Sequence, residues 1–90
     1  MKNYHLLIQG DVVGVGFRSW MKREANILQI VGWVKNREDD TVEAVIQGKD
    51  NLVLTLLEKA KKGPEVSWVQ DVVITENPVD RNLFAFEVIY

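Results

Sequence analysis

Apolar and polar positions alternate with period two over residues 4–9, 41–47 and 68–75, and again at Phe84, Phe86, Val88 and Tyr90. Between these runs the spacing switches to three and four residues. Strict alternation predicts strands with one buried face, and the longer spacing predicts amphipathic helices. In the first run Leu6 and Ile8 take the buried side. Phe17, Met21, Ala25 and Leu28 then recur at intervals of four, four and three, which lays one apolar stripe along a first helix. Lys22, Arg23 and Glu24 fall mostly off that stripe. Residues 30–36 form a β-rich run, residues 37–40 a polar turn, and residues 41–47 a strand that buries Val42, Ala44 and Ile46. The short turn makes the two runs an antiparallel hairpin.

A second helix is the best punctuated segment. Asp50 is placed to cap its start, and Val53, Leu56, Leu57 and Ala60 supply its apolar stripe. Lys59, Lys61 and Lys62 crowd its last turn, where the helix dipole favours cations. Gly63 and Pro64 stop it. The lysines read as dipole complement and solvated face. In the next strand Val72 and Ile74 are the inward pair; Asn77-Pro78 ends it, and the terminal strand follows. The order βαββαβ plus a C-terminal strand predicts an α+β, ferredoxin-like sandwich over residues 1–90, a single domain. Its antiparallel sheet carries two helices on one face.

Composition narrows the chemistry. A chain of 90 residues, 47% apolar, fits one hydrophobic core and little more. The formal net charge of −2 leaves no basic footprint for nucleic acid. An RNA-recognition module on the same topology would also display aromatics on its central strands, and residues 41–47 have none. There is no cysteine, so disulfides, thiolate metal sites and thiol nucleophiles are excluded, and a reducing compartment is consistent. No apolar run is long enough to span a bilayer and no signal segment opens the chain. A cytoplasmic protein with no cofactor and no membrane partner is expected.

The candidate chemistry sits in Gly10-Asp11-Val12-Val13-Gly14-Val15-Gly16-Phe17-Arg18, between the first strand and the first helix. Glycine takes positive φ without steric cost, so such a loop can aim successive N–H groups at one point. Beside a helix N-terminus these donors suit an anion, and arginine adds a planar fork that fits phosphate. On spacing alone, a tight turn with a surface arginine remains the competing reading. The run lacks the Gly-Lys-Ser/Thr ending of a P-loop. Ser19 stands where a dinucleotide fingerprint needs its third glycine.

Gly14-Val15-Gly16-Phe17-Arg18, followed a helix length later by Gly32-Trp33-Val34-Lys35-Asn36, closely resembles the acylphosphatase family. The similarity extends to Val42-Glu43-Ala44-Val45-Ile46-Gln47-Gly48, to Gly63-Pro64 and to the aromatic-ended last strand, nearly the whole chain. The resemblance implies hydrolysis of the carboxyl–phosphate bond of small acyl phosphates, without a metal. It makes Arg18 the phosphate-binding arginine and Asn36 the residue that holds the attacking water. The backbone of Val13, Gly14, Val15, Gly16 and Phe17 would receive the phosphoryl oxygens. Carboxylate is a good leaving group, so no general acid is needed. Phosphoryl transfer asks mainly for in-line positioning and charge stabilisation. Asparagine is no base, but its amide can orient a water. In the family account the substrate phosphate accepts the water's proton.

Each assignment has a plainer rival. Asn36 could begin the hairpin turn, and Arg18 could be a solvated charge, although the dipole disfavours a cation there unless an anion compensates. An acylphosphatase-like module that binds an anion or a partner without turnover is the alternative function. His5, the only histidine, is expected to face outward from the first strand. Trp20, Trp33 and Trp68 read as packing residues, with Trp33 the one candidate wall of the substrate site. Against the family pattern, Asp11 replaces a basic residue and Val13 a glutamine. Gln29 replaces a glycine, so it must turn left-handed or force another helix ending; Asp40 replaces a turn glycine, a milder change. Asp11 matters little if it points outward. The family signature also occurs as one domain of larger maturation factors with zinc-binding cysteines, which this sequence lacks. A free-standing monomer is expected, although an exposed edge strand could pair with another copy.

Overall fold

The computed structural model of the chain, residues 1–90, turns the alternating runs into five strands and the helical spacing into two helices. In order they are β1 (Lys2–Asp11), α1 (Phe17–Ile27), β2 (Val31–Asn36), β3 (Val42–Gly48), α2 (Asp50–Lys62), β4 (Trp68–Asn77) and β5 (Phe86–Ile89). The sheet order is β4-β1-β3-β2-β5. Leu6, Ile8, Val34, Val42, Ala44 and Ile46 are fully buried. They meet Phe17, Met21 and Ala25 of α1 and Val53, Leu56, Leu57 and Ala60 of α2, so the α2 stripe is buried whole and the α1 stripe as far as Ala25. α1 packs over β2 and β5, and α2 over β4, β1 and β3. The other sheet face carries no helix.

Three of the four strand pairings are antiparallel; β2–β5 is parallel, so the expected antiparallel sheet is in fact mixed. The cause is the connection after β4. Residues 78–85 cross the end of the sheet from one edge to the other and bring β5 in beside the start of β2, with Gly32 N–H donating to Ala85 C=O at 2.9 Å. A strand entering from that end must run with β2 rather than against it. Gln47 clasps this crossing: its carbonyl accepts from Asp80 N–H at 2.7 Å and its amide donates to Asp80 C=O at 2.9 Å.

Local expectations fail where an element lies at the margin. Asp50 does not cap α2. Lys49 occupies that position, and the Asp50 carboxylate, in the first turn, pairs instead with the N-terminal ammonium at 2.8 Å. Ile74 faces the helix side, opposite Leu6, yet is 36% exposed, because β4 is an edge strand and α2 leaves that stretch uncovered. Leu28 ends up half-buried just past the end of α1. In the terminal run only Phe86 is buried and Val88 half-buried; Phe84 and Tyr90 lie outside β5 and are exposed. Gln29 does take the left-handed conformation, at φ 57, and Asp40 likewise at φ 63.

Candidate active site

The site begins with a register break. Between Gln9 and Gly10 the β1–β4 pairing shifts, and Gly10, at φ 134, passes so close to the Trp68 carbonyl that a Cβ there would collide with it. The bulge releases the chain into residues 12–16. In that loop the valines anchor and the glycines turn. Val12 is buried, Val13 and Val15 are half-buried against the core, and Gly14 and Gly16 are exposed at φ 80 and 78. An added Cβ on Gly14 or Gly16 would meet nothing within 4 Å, so backbone conformation, not crowding, is what demands glycine.

Gly16 is also the residue before α1, and no side chain caps that helix. The first N–H to find an acceptor is that of Trp20, which donates to Gly16 C=O at 3.0 Å. The N–H groups of residues 13–19 have no acceptor within the chain. A helix start always leaves donors open; here the preceding loop extends the run. This donor-rich segment borders a cleft of about 70 Å³, lined by Val12, Gly14, Gly16, Phe17, Arg18, Ser19, Asn36 and Tyr90.

Arg18, half-buried in the first turn of α1, is steadied by the end of β5. One guanidinium nitrogen donates a long 3.5 Å hydrogen bond to Ile89 C=O, and the guanidinium carbon lies 4.6 Å from the centre of the Tyr90 ring. It pairs with no carboxylate. Most of its five donors are therefore free for an anion. Asn36 ends β2 on the same face as Val34, the face covered by α1, and its side chain has no hydrogen-bond partner within the chain.

Fold topology thus brings Gly14, Gly16, Phe17, Arg18 and Asn36 to one cleft, whereas the Val13 and Val15 side chains do not line it. Trp33 is not a wall of this site. It alternates with Val34 onto the open sheet face, where the Lys35 ammonium lies 5.5 Å from its ring. Trp20 packs edge-on to Phe17, 5.2 Å between centres, as a packing residue. Trp68 is 61% exposed. Asp11 is exposed and outside the lining. His5 faces the open side as expected, but it is bonded: its Nε2 lies 2.7 Å from Glu43 Oε2. That hydrogen bond, with Lys35 nearby, holds the Glu43 carboxyl below its ordinary range. Val12, Ser19 and Tyr90 join the lining beyond the expected residues. Val12 and Ser19 flank the loop and Arg18 in sequence, whereas Tyr90 arrives through topology, since β5 reaches the cleft only by its parallel pairing with β2.

Comparisons with known proteins point to one family and one fold. The acylphosphatase family model matches residues 4–88. An acylphosphatase of Thiobacillus denitrificans is 50% identical over 76 residues, 84% of this chain and 85% of the relative. One from Bacillus subtilis is 36% identical over 90 residues, 100% of this chain and 99% of the relative. The crystal structure of acylphosphatase from Bacillus subtilis superposes with a TM-score of 0.95 at 36% identity, covering 100% of both chains. An acylphosphatase structure from Coxiella burnetii gives 0.92 at 33% identity, covering 98% of this chain and 92% of that one. With the two signature segments meeting at one cleft and relatives matched along almost the full length, this chain belongs to the acylphosphatase family.

Proposed function

We propose that the cleft hydrolyses small acyl phosphates to carboxylate and inorganic phosphate. The phosphoryl group sits against the N–H groups of Val13, Gly14, Val15, Gly16 and Phe17, and the Arg18 guanidinium stabilises charge on its equatorial oxygens. The Asn36 carboxamide positions a water in line with the scissile bond. The substrate phosphate accepts the water's proton, and the carboxylate leaves without protonation. No metal enters this scheme, because arginine and backbone donors supply the positive field. The observation that carries the reading is the convergence of unpaired loop donors, Arg18 and Asn36 on one small cleft.

The chain acts in this reading as one domain over residues 1–90, a monomer, in the cytoplasm and without nucleic acid. The absence of cysteine fits a reducing compartment, and the net charge of −2 offers no basic footprint for nucleic acid. No helix is long and apolar enough to cross a membrane. Benzoyl phosphate hydrolysis tests the proposal. Arg18→Ala and Asn36→Ala should each abolish most turnover while circular dichroism shows both variants folded. An unaltered chain that binds phosphate but never turns benzoyl phosphate over would leave only an anion-binding module.

A further inference from the structure

The charges of α1 run against its dipole. The helix has no acidic residue in its first turn and no basic residue in its last, the reverse of the favoured arrangement. Its cations are Arg18, Lys22 and Arg23. A spacing of four puts Arg18 and Lys22 on one helix face, about 6 Å apart along the axis. Lys22 and Arg23 are exposed, and neither forms an ion pair.

These two cations face a groove rather than open solvent alone. A depression of about 410 Å³ between α1 and β5 is lined by Ser19, Lys22, Arg23, Asn26, Val88 and Tyr90. Ser19 and Tyr90 also line the phosphate cleft, so the two spaces adjoin at these residues. No acidic side chain lines the groove. Glu24 turns to Lys59 on α2, 3.7 Å away. Glu87 of β5 pairs with Trp33 and shares its open sheet face. The groove therefore offers apolar surface from Val88 and Tyr90 beside two cationic side chains that form no ion pair.

We propose that this groove is a second anion subsite of the same active centre, in which Lys22 and Arg23 bind a negative group on the acyl part of the substrate. The favoured substrates are then acyl phosphates that carry a carboxylate or a second phosphate a few bonds from the reacting carbonyl. The inference rests on the acyl phosphate hydrolysis proposed above. Lys22 and Arg23 select and orient substrate; they do not touch the scissile bond. Their effect falls on KM, and added salt weakens it as it weakens any exposed charge pair.

The test compares 3-carboxybenzoyl phosphate with benzoyl phosphate, using the ratio of kcat/KM for the two compounds. The unaltered chain should prefer the carboxylated compound, mainly through a lower KM. In the double variant K22Q/R23Q that ratio should fall about tenfold, as expected for losing charge-assisted contacts to one carboxylate. Lys62→Gln, on the exposed end of α2, should leave the ratio where it was. A ratio that K22Q/R23Q does not change, with benzoyl phosphate still hydrolysed, would overturn the subsite. Failure of the unaltered chain to hydrolyse either compound would instead remove the function on which the subsite depends.

Discussion

The two ends of the sheet treat their polar groups in opposite ways. At the end where β2 begins, Asn3 and Gln47 are each 3% exposed. The Asn3 amide donates to the Gln47 carbonyl at 3.0 Å, and Gln47 holds the Asp80 backbone in both directions. No buried side-chain polar atom in the protein lacks a partner. At the end where β2 finishes, the N–H groups of residues 13–19, the Asn36 carboxamide and most of the Arg18 donors have none. A buried donor without a partner costs about 1–3 kcal/mol, so open donors persist only where water or a ligand can reach them. The closed end fixes where the chain crosses and so where β5 lies. The open end leaves its donors unpaired beside the cleft, as the proposed function requires.

The sharpest separation of the two ends comes from Arg18→Ala. It should lower kcat for benzoyl phosphate by about 10³-fold, the scale of losing a principal charge-stabilising group, with hardly any shift in a urea unfolding midpoint. An equally large loss of stability would mean that the arginine braces β5 rather than waits for an anion. Gln47→Leu should do the opposite. It strands the Asn3 amide and the Asp80 N–H, and should cost about 2–3 kcal/mol of unfolding free energy, with kcat preserved wherever the variant is folded. Loss of turnover in folded protein would show that the ends are coupled through the crossing segment.

A smaller effect concerns strain. Gln29 holds φ 57 just after α1, where a side chain is disfavoured by about 1–2 kcal/mol. Gln29→Gly should raise stability by roughly 0.5–1 kcal/mol after allowing for the freer unfolded chain, measured by thermal or urea denaturation. No gain would indicate that neighbouring contacts relieve the strain. The smallest effect belongs to Glu43, between the ends on the open face. Its folded pKa is depressed, first by the hydrogen bond with His5. The stabilisation is therefore present above the ordinary glutamate range and lost as pH falls through the lowered value. Glu43→Gln should cost less than about 1 kcal/mol near neutrality, and the difference from the unaltered chain should shrink in acid. A gap that does not shrink would remove the carboxylate from the account.

Much of this arrangement was legible in the residues. Period two placed Leu6, Ile8, Val42, Ala44 and Ile46 on the buried face, and helical spacing placed Phe17, Met21 and Ala25 against them. Those patterns are local and repeat, so they survive the loss of three-dimensional context. The glycines of the loop announced a positive-φ turn, which Gly14 and Gly16 adopt. Edges and ends were harder to read. Ile74 has the right period but no helix above it, and Phe84 and Tyr90 continue the alternation beyond the last strand pair. Asp50 has the chemistry of a cap, but Lys49 stands at the position.

The sequence by itself determined which residues enter the core, where the chain turns, and which segment can present open donors and a guanidinium to an anion. These depend on local spacing and on the conformational range of individual residues. Tertiary structure alone decided that β5 runs parallel to β2, that Trp33 faces away from the cleft, and that Tyr90 lies over Arg18. It also decided that Lys22 and Arg23 border a groove that adjoins the cleft at Ser19 and Tyr90. Those outcomes depend on which elements pack side by side, and side-by-side packing is set by burial summed over the whole sheet rather than by any short stretch of chain.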